Sequence, residues 1–219
     1  SVFPAVFVLL TGLGPIHAAS HPTGGWTGVA PRDEIRPEFV FDAAGENPQS
    51  ASLSIRADAR EGLDGHWERT FPVEGGRHYR FQVLRRATNV ESPRRSTLVR
   101  ILWRDARGRS VRHDQSGATS YDEGVRPVAE PEYPTDGATN AAGWTEVSDV
   151  YKAPSKATQA VVELHLRWAP QAEVEWREVV FTQTDPPPAR KVRLAAVHFR
   201  PSGGRTLAEN SRLFAPLIE

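Results

Sequence analysis

The chain reads as all-β, an antiparallel β-sandwich of the jelly-roll kind followed by one incomplete βα unit, and three observations predict this. Short segments with period-two alternation and β-branched residues recur through the central region, separated by Gly, Pro, Asn and Asp clusters. No amphipathic helix of useful length interrupts them. The prolines Pro186, Pro187 and Pro188 then precede a tail whose pattern changes to a single apolar run and helical spacing.

From the N-terminus, the apolar run from Val2 to Leu10, the Gly12 and Gly14 turn and the small residues Ala18, Ala19 and Ser20 read as a secretory signal peptide over residues 1–19. The run is shorter than the ~20 apolar residues a membrane span needs, so no membrane association is expected after cleavage. A buried first strand is the other reading, which Pro4, Gly12, Gly14 and Pro15 suit poorly. With no leading methionine or basic segment, and a tail that stops early, the sequence is expected to be cut short at both ends.

Residues 24–183 form the expected sandwich, with candidate strands at 38–41, 51–58, 67–73, 78–87, 97–104, 145–153, 159–168 and 174–182. Alternation is clearest in the seventh. Val162, Leu164, Leu166 and Trp168 share one face, expected in the core, and Glu163, His165 and Arg167 share the other, expected in water. Strands in this number without helices argue for two packed antiparallel sheets.

Residues 184–190 are a stiff proline-rich linker, because consecutive prolines favour an extended backbone. Residues 191–219 then read as a buried strand, Val192 to Phe199, a turn at Pro201 to Gly204, and a helix. Thr206 and Glu209 have the spacing that lets each side chain satisfy a free amide at a helix start.

On the strand Val192-Arg-Leu-Ala-Ala-Val-His-Phe199 and on Asn210, the tail resembles the opening of the nitrilase, or carbon-nitrogen hydrolase, superfamily. The resemblance implies a parent protein that hydrolyses amide or nitrile bonds with a glutamate, a lysine and a cysteine nucleophile. All three would lie downstream, and this chain has no cysteine. It implies further that the sandwich has the following hydrolase domain as a partner. The stretches from Gly143 to Pro154, Ala160 to Leu166 and Val174 to Phe181 resemble the closing strands of galactose-binding-like jelly rolls, including carbohydrate-binding modules. Arg177 and Glu178 stand where that pattern has two aspartates. The blocks Pro31 to Pro37 and Gly62 to Gly76 resemble the β-domains that precede nitrilase-type domains in exported bacterial proteins.

Composition narrows the chemistry. Lys+Arg 27 balances Asp+Glu 27, which leaves no net field to gather nucleic acid or an anionic membrane. The absence of cysteine excludes disulfides, thiolate metal sites and thiol catalysis within the segment. The seven histidines show no helical metal-ligand spacing, so no metal and no cofactor are expected, and no catalytic residue is assigned. Asp58, Glu61 and Asp64 read either as a solvated loop or as oxygen donors for calcium. The pair Gly75-Gly76 lies between strands and lacks the lysine and helix of a phosphate loop.

The expected ligand is carbohydrate. Sugars present apolar C–H faces beside hydroxyls, so a binding surface needs exposed rings with hydrogen-bonding neighbours. Tyr121 and Tyr133 lie among acidic residues in a long segment, 114–143, with little sign of a strand, and Trp67 is the third candidate stacking ring. Trp103, Trp144, Trp168 and Trp176 are expected in the core. Arg85, Arg86, Arg94 and Arg95 read either as an anion grip or as a charged protective edge. Two functions remain open: an exported, noncatalytic carbohydrate-binding module, and a structural domain docking on the hydrolase domain.

Overall fold

A computed structural model of the chain describes residues 23–43, 51–114, 127–189, 202–203 and 206–217. The chain forms two compact units, Ser1–Pro186 and Pro187–Glu219. The leader reading at residues 1–19, Tyr121 and the strand expected at 192–199 lie outside the described residues.

The first unit is a β-sandwich. Its strands are β1 (Thr27–Val29), β2 (Glu38–Asp42), β3 (Ser52–Arg56), β4 (Asp64–Pro72), β5 (His78–Thr88), β6 (Val99–Arg104), β7 (Thr135–Thr139), β8 (Thr145–Lys152), β9 (Gln159–Arg167) and β10 (Glu173–Thr184). A four-stranded sheet has the order β1-β4-β9-β6 and a six-stranded sheet the order β2-β3-β10-β5-β8-β7. Every strand pair in them is antiparallel. One helical turn, α1 (Pro93–Ser96), lies between β5 and β6.

Period-two alternation builds the core between the sheets. Leu53, Ile55, Phe81, Val83, Val147, Val174 and Trp176 face inward from the larger sheet. Trp67, Val99, Ile101, Trp103, Val162, Leu164 and Leu166 meet them from the smaller one. Full burial of each such side chain stabilises by roughly 1.5–3 kcal/mol. Phe181 ties the layers together, stacking on Tyr79 at 5.4 Å and meeting Phe71 at 5.2 Å.

β10 is the spine of the larger sheet because it pairs with both β3 and β5. The Arg177-Glu178 pair noted in the sequence sits at a bulge: pairing shifts between Arg177 and Val180, and Glu178 has φ 54°. Gly75 has a packing role instead of a phosphate-binding one, since a Cβ there would stand 2.2 Å from the Ser155 carbonyl oxygen.

Two strands escape the sequence reading. β1 is three residues long, and β7 falls inside the segment expected to lack strands. β7 contains Thr, Asp, Gly and Ala, a composition with little β-propensity; the pairing edge of β8 supplies what its own residues do not.

In the second unit, α2 (Leu207–Phe214) opens with the reciprocal cap expected from its sequence. The Glu209 amide donates to Thr206 Oγ1 at 3.2 Å, and the Thr206 amide donates to Glu209 Oε2 at 3.0 Å. Its apolar residues Leu207 and Leu213 are exposed.

Candidate functional site

The outer face of the four-stranded sheet departs most from the sequence reading. Glu163 and His165 point away from the core, as their alternation with Val162 and Leu164 requires, yet each is only 4% exposed. Cross-strand register supplies their partners. On β4, His66 stands opposite His165 and Glu68 opposite Glu163; on β6, Arg100 stands opposite Glu163. The two imidazoles lie 4.6 Å apart between centroids.

Glu163 Oε2 collects two donors, His165 Nε2 at 2.9 Å and Arg100 Nε at 2.5 Å. Burial opposes the charge on Glu163, but these hydrogen bonds and the Arg100 charge prevail and hold its pKa down to about 2. Burial acts unopposed enough on His66 to lower it to about 4, with His165 adding to the effect and Glu163 resisting it. Glu68 is raised by burial and by its neighbour Glu163. At neutral pH the row therefore holds an anionic Glu163 and a neutral His66.

A short segment extends this face beyond β6. Ile101 and Glu132 exchange two backbone hydrogen bonds of 2.9 Å, so the chain around Glu132 runs antiparallel to β6 and brings Tyr133 beside Arg100. Tyr133 is 52% exposed, and it ends a row running Glu68, Glu163, Arg100, Tyr133. Glu132 points the other way, accepting from the Trp103 indole at 3.3 Å, with burial raising its pKa.

The same chain segment contributes to a cleft of about 510 Å³ lined by His113, Asp114, Glu130, Glu132 and Lys152, with Pro131 and Pro154. This volume falls in the range of small-molecule sites. Asp114 is fastened to the loop after β8, accepting from the Ser155 amide and hydroxyl at 2.7 Å each. Tyr151 nearby has its hydroxyl pKa raised by burial and by Asp149 and Glu132.

Of the three expected stacking rings, Tyr133 alone presents an exposed face among the described residues. Trp67, expected as a stacking ring, is instead buried: it is 4% exposed, its indole donates to the Ser54 carbonyl at 3.1 Å, and Phe39 meets it edge-on at 5.2 Å. The alternation of β4 turns Trp67 inward with Gly65, so it is core.

The other tryptophans divide. Trp103 and Trp176 are buried as expected, but Trp168 is 50% exposed and Trp144 is intermediate. β9 ends at Arg167, and Trp168 takes φ 56°, which swings its ring out of the alternation toward Arg167 and Arg95. Trp144 lies between the guanidinium groups of Arg86 and Arg177, at 4.7 and 5.0 Å.

The four arginines do not share an edge. Arg85 is buried and forked onto Asp136, while Arg86 leaves the opposite face of β5 to pair with Glu175 at 2.6 Å. Asp58, the first of the candidate calcium donors, has both oxygens taken by Arg60.

The sequence offered no signal for the His66, Glu68 and Glu163 cluster, because its members come from two strands nearly a hundred residues apart. Their donor atoms all lie within 4.8 Å of one another.

No family model and no curated protein matches the chain. Among solved structures, the enzymatically active domain of a tailspike protein of bacteriophage CBA120 superposes with a TM-score of 0.52 at 15% identity, over 74% of this chain and 20% of that one. The CBM22-1 and GH10 modules of Clostridium thermocellum xylanase 10B, complexed with xylohexaose, match with a TM-score of 0.46 at 13% identity, over 74% of this chain and 26% of that one. A CBM22-1 xylan-binding domain of Paenibacillus barcinonensis matches with a TM-score of 0.40 at 12% identity, over 75% of this chain and 89% of that one. The chain thus spans about a fifth to a quarter of the first two structures. No helix among the described residues is long and apolar enough to cross a membrane. Strand order, antiparallel register and the tailspike match together make the first unit a two-sheet antiparallel β-sandwich.

Proposed function

We propose that the β-sandwich is a noncatalytic accessory module that binds carbohydrate through Tyr133 and the cleft lined by the neighbouring Glu130 and Glu132, with Tyr121 as a second stacking ring. The observation that carries this reading is the half-exposed ring of Tyr133, flanked by Arg100, in a segment whose Glu130 and Glu132 line a cleft of about 510 Å³. An exposed ring can cover the apolar face of a sugar, while Glu130, Lys152 and His113 offer acceptors and donors for its hydroxyls.

The module belongs, in this proposal, to an exported carbon-nitrogen hydrolase whose catalytic glutamate, lysine and cysteine follow residue 219. The capped helix α2 supports that reading as the helix of an opening βα unit. Assay of the full-length parent protein for amide and nitrile hydrolysis, with its cysteine replaced by alanine as control, tests it.

For the module, the chain is titrated against an array of polysaccharides and oligosaccharides beside Tyr133→Ala and Tyr121→Ala variants. Saturable binding weakened about tenfold by Tyr133→Ala is the expected result. Absence of binding across the array rejects the carbohydrate reading and leaves docking on the hydrolase domain.

A further inference from the structure

The outer face of the four-stranded sheet contains three donor atoms held close together without bonding one another. His66 Nε2 lies 3.7 Å from Glu68 Oε2 and 3.9 Å from Glu163 Oε1. Both separations exceed hydrogen-bond length. They are near the distance between ligands on one small cation, since donors about 2.0–2.2 Å from a tetrahedral metal stand about 3.4 Å apart. All three donor atoms lie within 4.8 Å of one another, and side-chain rotation would close the remaining gap.

We propose that His66 Nε2, Glu68 Oε2 and Glu163 Oε1 form a three-ligand site for a single divalent transition-metal ion of the zinc class.

Three features beyond proximity support the assignment. First, His66 is 8% exposed, and its Nε2 is turned toward two carboxylate oxygens with neither at hydrogen-bond distance. Second, Glu68 and Glu163 are direct cross-strand neighbours. Like charges in that position repel, and a cation between them reverses the sign of the interaction. Third, Glu163 is already oriented as ligating carboxylates are: His165 and Arg100 both bond to Oε2, fixing the group and leaving Oε1 for the ion.

The donor set selects the ion class. One imidazole nitrogen with two carboxylates suits zinc and its neighbours, whereas calcium takes six to eight oxygens and magnesium a hydrated octahedron. Glu68 is the entry side, its side chain being 39% exposed while Glu163 is at 5% and His66 at 11%. Solvent completes the coordination there. None of this depends on the carbohydrate proposal, whose residues Tyr133 and Lys152 are not ligands.

Calorimetric titration of the chelator-treated, dialysed full chain with zinc chloride tests the site. One equivalent is expected to bind, at least tenfold more weakly in Glu68→Gln, with no comparable binding of calcium chloride. Glu163→Gln is expected to abolish the event. Glu68→Gln keeps the test decisive if the buried substitution unfolds, because its side chain lies at the solvent edge. Failure to bind zinc, or equal affinity in the parent chain and Glu68→Gln, overturns the proposal and assigns any residual binding to other histidines such as His78 or His113.

Discussion

Asp136 grips Arg85 in a two-bond fork, Oδ1 to Nη1 at 3.1 Å and Oδ2 to Nη2 at 2.7 Å, and this joins the edge strand β7 to a guanidinium that is only 4% exposed. β7 has too little apolar content to hold itself in place. Arg85 also donates to the Thr97 carbonyl at 3.0 Å and lies 6.0 Å from the Trp176 ring, so the pair links β7, β5, the end of α1 and the core.

Asp136→Ala leaves the Arg85 charge without its carboxylate, and a broken buried pair of this kind costs about 3 kcal/mol. Arg85→Met, which removes the charge but keeps the stem, is expected to cost less. Urea denaturation of the two variants measures the difference, and equal losses would show that packing of the arginine stem, not its charge, is what Asp136 secures.

Acid should unfold the sandwich in two overlapping stages with the same sign. His66 falls from 6.5 to about 4 on folding, so the unfolded chain binds the extra proton and stability declines as pH drops from 6.5 toward 4. Glu163 falls from 4.5 to about 2; its contribution is complete above pH 4.5 and is lost as pH falls toward 2. Urea midpoints measured from pH 7 to pH 3 should show the decline, and His66→Gln should flatten its upper stage.

The six tryptophans should differ sharply in cost and accessibility. Trp176→Ala empties a site with 0% exposure and is expected to cost about 3–5 kcal/mol. Trp168→Ala removes a half-exposed ring resting on Arg167 and is expected to cost under about 1 kcal/mol. Iodide quenching checks the placement: Trp168→Phe should remove most of the quenchable emission.

Gly75→Ala drives a methyl group into the backbone carbonyl of Ser155, which cannot swing away as a flexible side chain would. Overpacking of this kind costs about 1–3 kcal/mol, visible as a lower thermal midpoint. An unchanged midpoint would mean that the loop carrying Ser155 yields freely.

Much of the larger design was legible along the chain. Strands β2 through β6 and β8 through β10 follow from alternation and turn residues, and the cap on α2 follows from the spacing of Thr206 and Glu209 alone. These features arise from neighbours within a few residues, where local sterics and hydrogen bonding decide the outcome. Tyr133 was likewise legible as a candidate, a ring set among carboxylates outside the strong strand patterns.

Tertiary structure decided the rest, for one physical reason: register across strands is set by the whole sheet and not by any segment. Alternation alone puts Glu163 and His165 in water, but pairing with β4 and β6 places His66, Glu68 and Arg100 against them and turns a polar face into a buried charge network. The sequence reading has Trp67 as an exposed ring and Trp168 in the core, yet strand phase sends the first into the core and a left-handed backbone at the end of β9 sends the second out to solvent. β7 exists because Asp136 reaches Arg85 and β8 offers an edge, neither of which its own residues disclose. Interactions between near neighbours along the chain therefore fix the β architecture and the helix start, while contacts between residues far apart in the chain fix which polar groups are buried and where the candidate sites lie.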